Sequence, residues 1–371
     1  MSAFDAEQTV QILANNEKQT IEKRIERTKE VVDSLKSSQN QDILEAFASD
    51  ARLVEAVLAN CGEAKNSKEL ADFSMDLLIQ ASKKVNEHAV LNYVSSMIKA
   101  MDSTQNRAGT IAGALDFLSS LSETAPTGVS VNLVRLMPVV AGLVNDASQL
   151  VADAARKCVE KLCHTIDNRD IEPFIDDMVA ATIDHDRTDD CVQKLASTTF
   201  VQTITAAPLA LISPILLLGF RARTTATKRM CAVILNNMSK LVEDPEDAEP
   251  FLDKLLTSVE KASNEISDPE ARAVCSKCTD QLKSIGERLA DPKFVSKRPT
   301  EKKLKELLGP SISAYEVIIL SSLIMSKVED YDFEQALKGK GKAYYQKLES
   351  FYFEDGEVDD DADEVVRGGQ R

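Results

Sequence analysis

The chain has 371 residues, of which 43% are hydrophobic, 5% aromatic and 28% charged, and it has no Trp. Its net charge of −16 argues against a general affinity for polyanions, so no DNA partner is expected and any contact with RNA needs a local basic patch. Thirteen Gly and eleven Pro are few for a protein rich in β-turns. These values favour an all-α protein with an aliphatic core.

The N-terminus and the cysteines indicate the compartment. The opening MSAFDAEQTVQIL has neither a basic nor an apolar targeting region, and no run approaches 18 apolar residues. The seven Cys are an odd number and are scattered through helical segments, which is typical of a reducing compartment. We therefore expect a soluble cytoplasmic protein without a membrane partner.

Residues 1–125 predict amphipathic helices with polar outer faces. Ile21, Ile25 and Leu35 recur on one side of the first long helical pattern, and charged residues fill the other side. Because terminal repeats of an array are divergent and polar outside, we interpret this region as a divergent, HEAT-like cap. It ends at the break that Pro126 and Gly128 introduce.

Prolines recur at a nearly constant distance in the centre of the chain. Pro138, Pro173, Pro214 and Pro250 each begin or precede an apolar run, and they are separated by 35, 41 and 36 residues. HEAT and armadillo units of paired helices run to roughly 40–47 residues. We interpret each proline as opening the first helix of a pair, which predicts an α-α superhelix of HEAT/armadillo-like repeats over residues 126–290. The alternative is an irregular helical domain with coincidental prolines.

The stretch 208–256 shows one such unit most clearly. An apolar run around Pro214 leads into a basic turn, and a second helix follows with Cys231 and Leu235 on its apolar face. Pro245 should stop that helix, because proline disfavours helical geometry at the preceding residue. The next helix is predicted to begin near Pro250.

After residue 290 the composition changes. Residues 291–353 predict a small helical bundle, with one well-buried helix over Ala314–Val328 and another over Phe333–Phe353. Residues 354–371 contain eight acidic residues and two arginines with few apolar side chains, which predicts a disordered acidic tail.

The central repeats also resemble a known family. The segment TTATKRMCAVILNNMSKLVEDPEDAEPFLDKLL, continued by SDPEARAVCSKC, resembles the HEAT-repeat domain of fungal-type translation elongation factor three, which is ABC-F-like. The resemblance is firm over Val131–Leu289 and mostly architectural before it. A related block occurs in the large ribosome-associated scaffold of the amino-acid-starvation pathway.

The resemblance implies a function. In that family the HEAT domain docks on the ribosome, and two ATP-binding cassettes promote release of deacylated tRNA from the exit site. This chain contains no G-x-x-x-x-G-K-[ST] segment, so we expect no ATPase activity and no cofactor. It would act as a docking module on ribosomal RNA and ribosomal proteins, as a fragment, a competitor, or a partner of a separate ATP-binding cassette protein. The alternatives are the starvation-pathway scaffold and a generic HEAT adaptor for other proteins.

Basic clusters supply the candidate RNA contacts, because Lys and Arg neutralise phosphates without reading sequence. The candidate contact residues are Arg221, Arg223, Lys228, Arg229, Lys297, Arg298, Lys302 and Lys303. A third cluster spans Lys338–Lys342. The competing interpretation is that these side chains are solvated or pair with nearby acids.

No catalytic or metal site is predicted. Cys275 and Cys278 form an isolated C-x-x-C pair, and Cys158, Cys163 and His164 lie close in sequence. Helical spacing places these cysteines on apolar faces, so we interpret them as small buried hydrophobic residues.

Overall fold

The computed structural model describes residues 4–14, 19–37, 43–44, 46–47 and 50–353. Its regular elements in these residues are helices, and they form two compact units, Met1–Ser296 and Lys297–Arg371. The acidic segment 354–371 lies outside the described residues. The all-α HEAT fold predicted from the sequence is confirmed.

The first unit is a HEAT superhelix. Its described helices are α1 (Ala6–Leu13), α2 (Ile21–Lys36), α3 (Ala51–Cys61), α4 (Lys68–Ser82), α5 (Val90–Ala100), α6 (Ala108–Thr124), α7 (Pro126–Ser130), α8 (Leu133–Leu143), α9 (Gln149–Cys163), α10 (Ile175–Ile183), α11 (Thr188–Ala196), α12 (Ala206–Gly219), α13 (Thr225–Ser239), α14 (Pro245–Glu265) and α15 (Pro269–Ala290).

These helices pack in two rows. In the first row α1, α3, α5, α8, α12 and α14 contact one another in that order. In the second row α2, α4, α6 and α9 do the same, and α11, α13 and α15 continue it after an interruption. The nine-residue helix α10 causes the interruption: it contacts α9, α11 and α12, while α8 packs directly on α12.

The prolines lie at different helix positions from those predicted. Pro138, Pro214 and Pro250 are inside α8, α12 and α14, and only Pro173 precedes a helix, within a short 3-10 turn. The prediction that they open helices was wrong for those three. The prolines still recur because each lies in or just before the first helix of a pair.

Helix α14 begins earlier than predicted. Pro245 occupies its first position, and the Asp244 side chain accepts a hydrogen bond from the Glu246 N–H as the N-cap. Proline is well suited to this position because it has no N–H to leave unpaired and its φ is already helical. Helix α13 had ended at Ser239, so Pro245 starts α14 and does not stop α13.

The core of the first unit is continuous and aliphatic, and it includes an aromatic contact. Tyr93 and Phe117 meet edge to face with ring centroids 5.8 Å apart. All seven cysteines are buried, including Cys275 and Cys278, which confirms their interpretation as packing residues. The seven thiols therefore belong to the packed interior of the repeats.

Ion pairs connect equivalent helices of successive repeats. They join residues about 40 positions apart: Lys29–Glu69 at 2.8 Å, Lys36–Asp76 at 2.9 Å, Lys99–Glu55 at 3.1 Å, Lys161–Glu123 at 2.9 Å and Arg229–Glu270 at 2.8 Å. Most of these side chains are exposed, so each pair contributes roughly 0–1 kcal/mol. Their main structural role is to cross the seams between repeats.

Hydrogen bonds also connect the loops between successive repeats. The Asp170 carboxylate accepts from the backbone N–H groups of Val201 and Gln202, at 2.6 and 2.8 Å. The Ile204 N–H then donates to the Leu241 carbonyl at 2.9 Å, so three consecutive loops are joined.

The second unit contains α16 (Glu301–Leu308), α17 (Ala314–Met325), α18 (Asp330–Leu337) and α19 (Gly341–Tyr352). The predicted buried helix near Ala314 is confirmed as α17. The single helix predicted over Phe333–Phe353 was wrong, because Lys338 and Gly339 adopt φ values of 37° and 78° and separate α18 from α19. No helix in the described part of the chain is long and apolar enough to cross a membrane.

Candidate nucleic-acid interface

The turn between α12 and α13 presents the first predicted basic cluster. Gly219 ends α12 in close contact with α13, since a Cβ there would lie 2.4 Å from the Cys231 sulfur. On the other side of the turn, the Thr224 hydroxyl caps α13 by accepting from the Thr227 N–H at 3.2 Å. The turn is therefore defined at both ends by local packing and capping.

Arg221 and Arg223 project from this turn. Both residues are exposed, and neither guanidinium has an ion pair or a hydrogen bond to the described residues. An exposed guanidinium presents five N–H donors in a fixed planar arrangement that matches phosphate oxygens. The turn thus offers two cations that are free to meet an anionic partner.

Lys228 lies in the same cluster but not on the surface. Its side chain is only 11% exposed, and its ammonium lies 2.6 Å from the Glu265 carboxylate at the end of α14. Hydrogen bonding from Lys228 is the main cause that lowers the pKa of Glu265. The charge of Lys228 is therefore used within the fold to join α13 to α14.

Arg229 is also paired. Its guanidinium donates to Glu270 at 2.8 Å across the seam between α13 and α15, with 43% of its side chain exposed. Part of its charge is therefore neutralised, although water and a partner can still reach it. The structure thus divides the predicted cluster into two free arginines and two paired cations.

The second predicted cluster lies at the start of the second unit. Lys297, Arg298 and Lys302 are exposed. Lys303 is half-buried, with its ammonium 4.1 Å from the centroid of the Phe351 ring. Lys303 thus stabilises the packing of α16 on α19 by a cation–π contact as well as carrying charge.

Sequence reasoning missed the partners of these cations. The sequence does indicate that Lys228 is buried, because it lies on the same helical face as Cys231, Leu235 and Met238, at positions i, i+3, i+7 and i+10. No local signal points to Glu265 or Glu270, which lie 37 and 41 residues away.

Comparison with known proteins places this turn within a family-specific segment. The elongation factor 3/GNC1 HEAT repeat family matches residues 187–293, and the EF3 N-terminal HEAT repeat family matches residues 2–159. Together these matches cover most of the first unit. The chain belongs to the elongation factor 3 HEAT-repeat family. The N-terminal match extends the likeness well before Val131, where the sequence had indicated only a similar architecture.

Individual members of the family show the same likeness. Elongation factor 3 of Candida glabrata is 34% identical over 234 residues, which are 63% of this chain and 22% of that protein. Elongation factor 3A of Saccharomyces cerevisiae is 34% identical over 235 residues, with the same coverage of each chain. Elongation factor 3 of Gonapodya prolifera is 38% identical over 177 residues, or 48% of this chain and 16% of that protein. The chain thus matches about a fifth of the length of these curated relatives.

Among solved structures, an archaeal HEAT-like repeats protein from Thermococcus onnurineus NA1 is 16% identical. It covers 70% of this chain and 97% of its own, with a TM-score of 0.26. The assignment of HEAT repeats rests on the helix rows and the family matches.

Proposed function

We propose that this chain is a non-enzymatic HEAT module that binds the ribosome during translation elongation. The family supports the link to translation, and the turn between α12 and α13 supports the mode of binding. On this proposal, Arg221 and Arg223 contact phosphates of ribosomal RNA, and ribosomal proteins complete the docking site. The cytoplasm is the compartment in which it would act.

The exposed, unpaired state of Arg221 and Arg223 carries the proposal. The first unit is strongly acidic, so its long-range field opposes a polyanion. A contact must therefore come from cations that are not already neutralised by acids of the fold, and these two arginines meet that condition. Both lie within the family-matched segment 187–293. Lys297, Arg298, Lys302 and Lys303 are proposed as secondary contacts because residues 297–353 contain ten Lys or Arg and only eight Asp or Glu.

Co-sedimentation with purified ribosomes at increasing salt tests the proposal. The wild-type chain should bind at low salt and dissociate as salt rises, because phosphate contacts release counterions. The variant R221E/R223E should lose binding by on the order of tenfold or more at low salt and show a shallower dependence on salt.

A matched control separates the turn from net charge. Lys240 and Lys254 are exposed, and no partner is assigned to either among the described residues. Lys240 directly follows α13, whereas the arginine turn precedes that helix, and the 15 residues of α13 separate them by about 22 Å. The variant K240E/K254E carries the same change in charge and should bind like wild type. Equal losses in both variants, or no wild-type binding at low salt, would refute the proposed docking turn.

Binding should not depend on nucleotide. If this chain is only a docking module, ATP should leave its sedimentation unchanged. A separate ATP-binding cassette protein, proposed as a further partner, should restore an ATP effect when it is added.

The starvation-pathway scaffold is the second candidate, because the model matching residues 187–293 is shared by elongation factor 3 and GNC1. This candidate predicts that the chain retains ribosomes and a kinase-regulatory domain together on one affinity resin. A generic HEAT adaptor would bind its protein partners normally with R221E/R223E.

A further inference from the structure

One side of α19 in the second unit carries a stripe of basic and aromatic side chains. Tyr344, Lys347 and Phe351 occupy positions i, i+3 and i+7 of this twelve-residue helix, so they follow one another along the same side. Lys347 is exposed and has no ion pair to the described residues, while the two rings are half-buried. Glu349, the single acidic residue of α19, is two positions from Lys347 and therefore lies about 200° around the helix. The stripe thus has a free cation and no carboxylate from its own helix.

Contacts place two further cations on this side of α19. The Lys303 ammonium, from α16, lies 4.1 Å from the centroid of the Phe351 ring at the C-terminal end of the stripe. At the other end, the Lys340 ammonium and the Tyr344 hydroxyl both donate to one oxygen of Glu316, at 2.7 and 3.2 Å. Glu316 is largely buried, whereas 63% of the Lys340 side chain is exposed. We name the five residues Lys303, Lys340, Tyr344, Lys347 and Phe351 the α19 face.

Neighbouring charges do not all belong to the α19 face. Of the third predicted cluster, contacts place Lys340 on it, but Lys342 lies five positions before Lys347 and is therefore turned away by about 140° around the helix. In α16, Glu301 pairs with Lys305 at 2.6 Å. The α19 face is thus a defined line of three cations, of which Lys347 has no partner among the described residues.

We propose that the α19 face binds a single strand of RNA, an inference that rests on the proposed function of this chain as a ribosome-docking module. The ammonium groups of Lys303, Lys340 and Lys347 contact phosphates of the strand. The exposed parts of the Tyr344 and Phe351 rings give apolar surface to the sugars and bases between those phosphates. Cations interleaved with aromatic rings are the combination with which proteins follow a single-stranded backbone without reading its sequence.

The dimensions of the face favour a single strand over a duplex. Lys340 directly precedes α19 and Phe351 is its next-to-last residue, so the cations and rings extend over about 16 Å of helix. Domains that recognise double-stranded RNA by its shape span about 16 base pairs and two successive grooves, which is much longer than this face. Sites for single strands begin at about four nucleotides. The α19 face therefore matches a short single-stranded segment.

Fluorescence anisotropy with a labelled oligouridylate of about 12 nucleotides tests the proposal on the full-length chain. The host is R221E/R223E, so that the arginine turn of the first unit does not contribute. In this host, Lys347→Met should weaken binding by about three- to tenfold and reduce the salt slope by about 0.7, the value for one phosphate contact to a single strand. Lys342→Met is the matched control, because it makes the same change of charge on the opposite side of the same helix, and it should change affinity less than twofold.

Equal losses in the two lysine variants, or no binding of the oligouridylate to the host at low salt, would overturn the proposal. Competition tests the partner. Unlabelled single-stranded RNA should displace the labelled strand, and either an RNA duplex or polyglutamate that displaces it equally well would overturn the assignment to a single strand.

Lysine acetylation provides a second measurement on the wild-type chain. Bound oligouridylate should slow acetylation of Lys347 several-fold and leave Lys342 and Lys240 at their rates without RNA. Equal protection of Lys342 and Lys347 would contradict binding at the α19 face. Neither measurement uses ribosomes, so their failure is distinguishable from failure of the proposed function, which sedimentation of R221E/R223E with ribosomes reports.

Discussion

The Lys228 ammonium lies 2.6 Å from the Glu265 carboxylate, and only 11% of the Lys228 side chain is exposed. A cation that the sequence places beside two exposed arginines is thus part of the joint between α13 and α14. Within eight residues of sequence, a cation used inside the fold is thus separated from two cations that have no partner among the described residues.

Replacing Lys228 should therefore affect stability more than binding. Lys228→Met keeps the aliphatic stem but removes the ion pair, and Glu265 can still be hydrated because it is half exposed. We expect the free energy of unfolding to fall by about 1 kcal/mol, while ribosome affinity changes less than twofold. Urea denaturation followed by circular dichroism measures the first quantity, and co-sedimentation measures the second.

The neutral variant R221M/R223M is the matched comparison. It should unfold like wild type and bind ribosomes more weakly. A larger binding loss in Lys228→Met than in this double variant would contradict the division of the cluster.

The sequence predicts much of the fold and only part of this site. Helical spacing and the period near 40 residues identify paired helices, because burial of one helical face repeats with each unit. The basic turn is also recognisable, since Arg221 and Arg223 fall between two apolar runs. The pairing of Arg229 with Glu270 cannot be recognised from the sequence, because it depends on how α13 and α15 align across a seam. The proline positions were predicted wrongly because a proline marks a helix start only by preference: Pro214 lies inside α12, whose buried residues continue on both sides of it.

Gly219 should be intolerant of even a methyl group. Gly219→Ala places a Cβ against the Cys231 sulfur at 2.4 Å, so we expect a loss of about 1–3 kcal/mol in unfolding free energy. Removing the sulfur should relieve the overlap. The double variant G219A/C231A should then be more stable than the sum of the two single changes predicts, which chemical denaturation of all four proteins measures. If the two changes in unfolding free energy are strictly additive, the close contact between residue 219 and Cys231 is contradicted.

The seven thiols should be unreactive in the native chain. All are buried, and burial raises the pKa of Cys158 and of Cys163 to about 12. Because the thiolate is the reactive form, both access and ionisation oppose modification. Ellman's reagent should label the chain slowly without denaturant and should label all seven thiols at once in 6 M guanidinium. Rapid native labelling of any cysteine would show that its repeat opens locally.

The second unit should lose stability in acid through Glu316. Burial disfavours its charged form, but hydrogen bonds from Lys340 and Ser313 outweigh that effect and lower its pKa to about 2, from an ordinary 4.5. A carboxyl group with a lowered pKa in the folded state stabilises it fully above pH 4.5. That contribution declines as the pH falls from 4.5 towards 2.

Near-UV circular dichroism can follow this unit selectively, because five of the six tyrosines lie within residues 297–353 and the chain has no Trp. Glu316→Gln should lower stability at pH 7 by about 1–3 kcal/mol and flatten the decline between pH 4.5 and 2. Glu349→Gln, at an exposed position of α19, is the control and should leave the acid profile unchanged. If Glu316→Gln shows the same loss of stability between pH 4.5 and 2 as wild type, Glu316 is not the cause of that loss.

The ion pairs across the seams of the first unit should make the stiffness of the array depend on the ionic strength of the solution. The attraction within each exposed ion pair resists separation of the two repeats that it joins, and dissolved salt weakens this attraction. The superhelix should therefore bend more easily as ionic strength rises. In the pair of Lys228 with Glu265, only 11% of the Lys228 side chain is exposed, although Glu265 is half exposed, so salt should weaken this pair less than the other seam pairs. Bending should then be smaller at the seam next to the arginine turn than at the other seams. The orientation of Arg221 and Arg223 relative to α14 would be kept while the rest of the array bends to fit a curved surface.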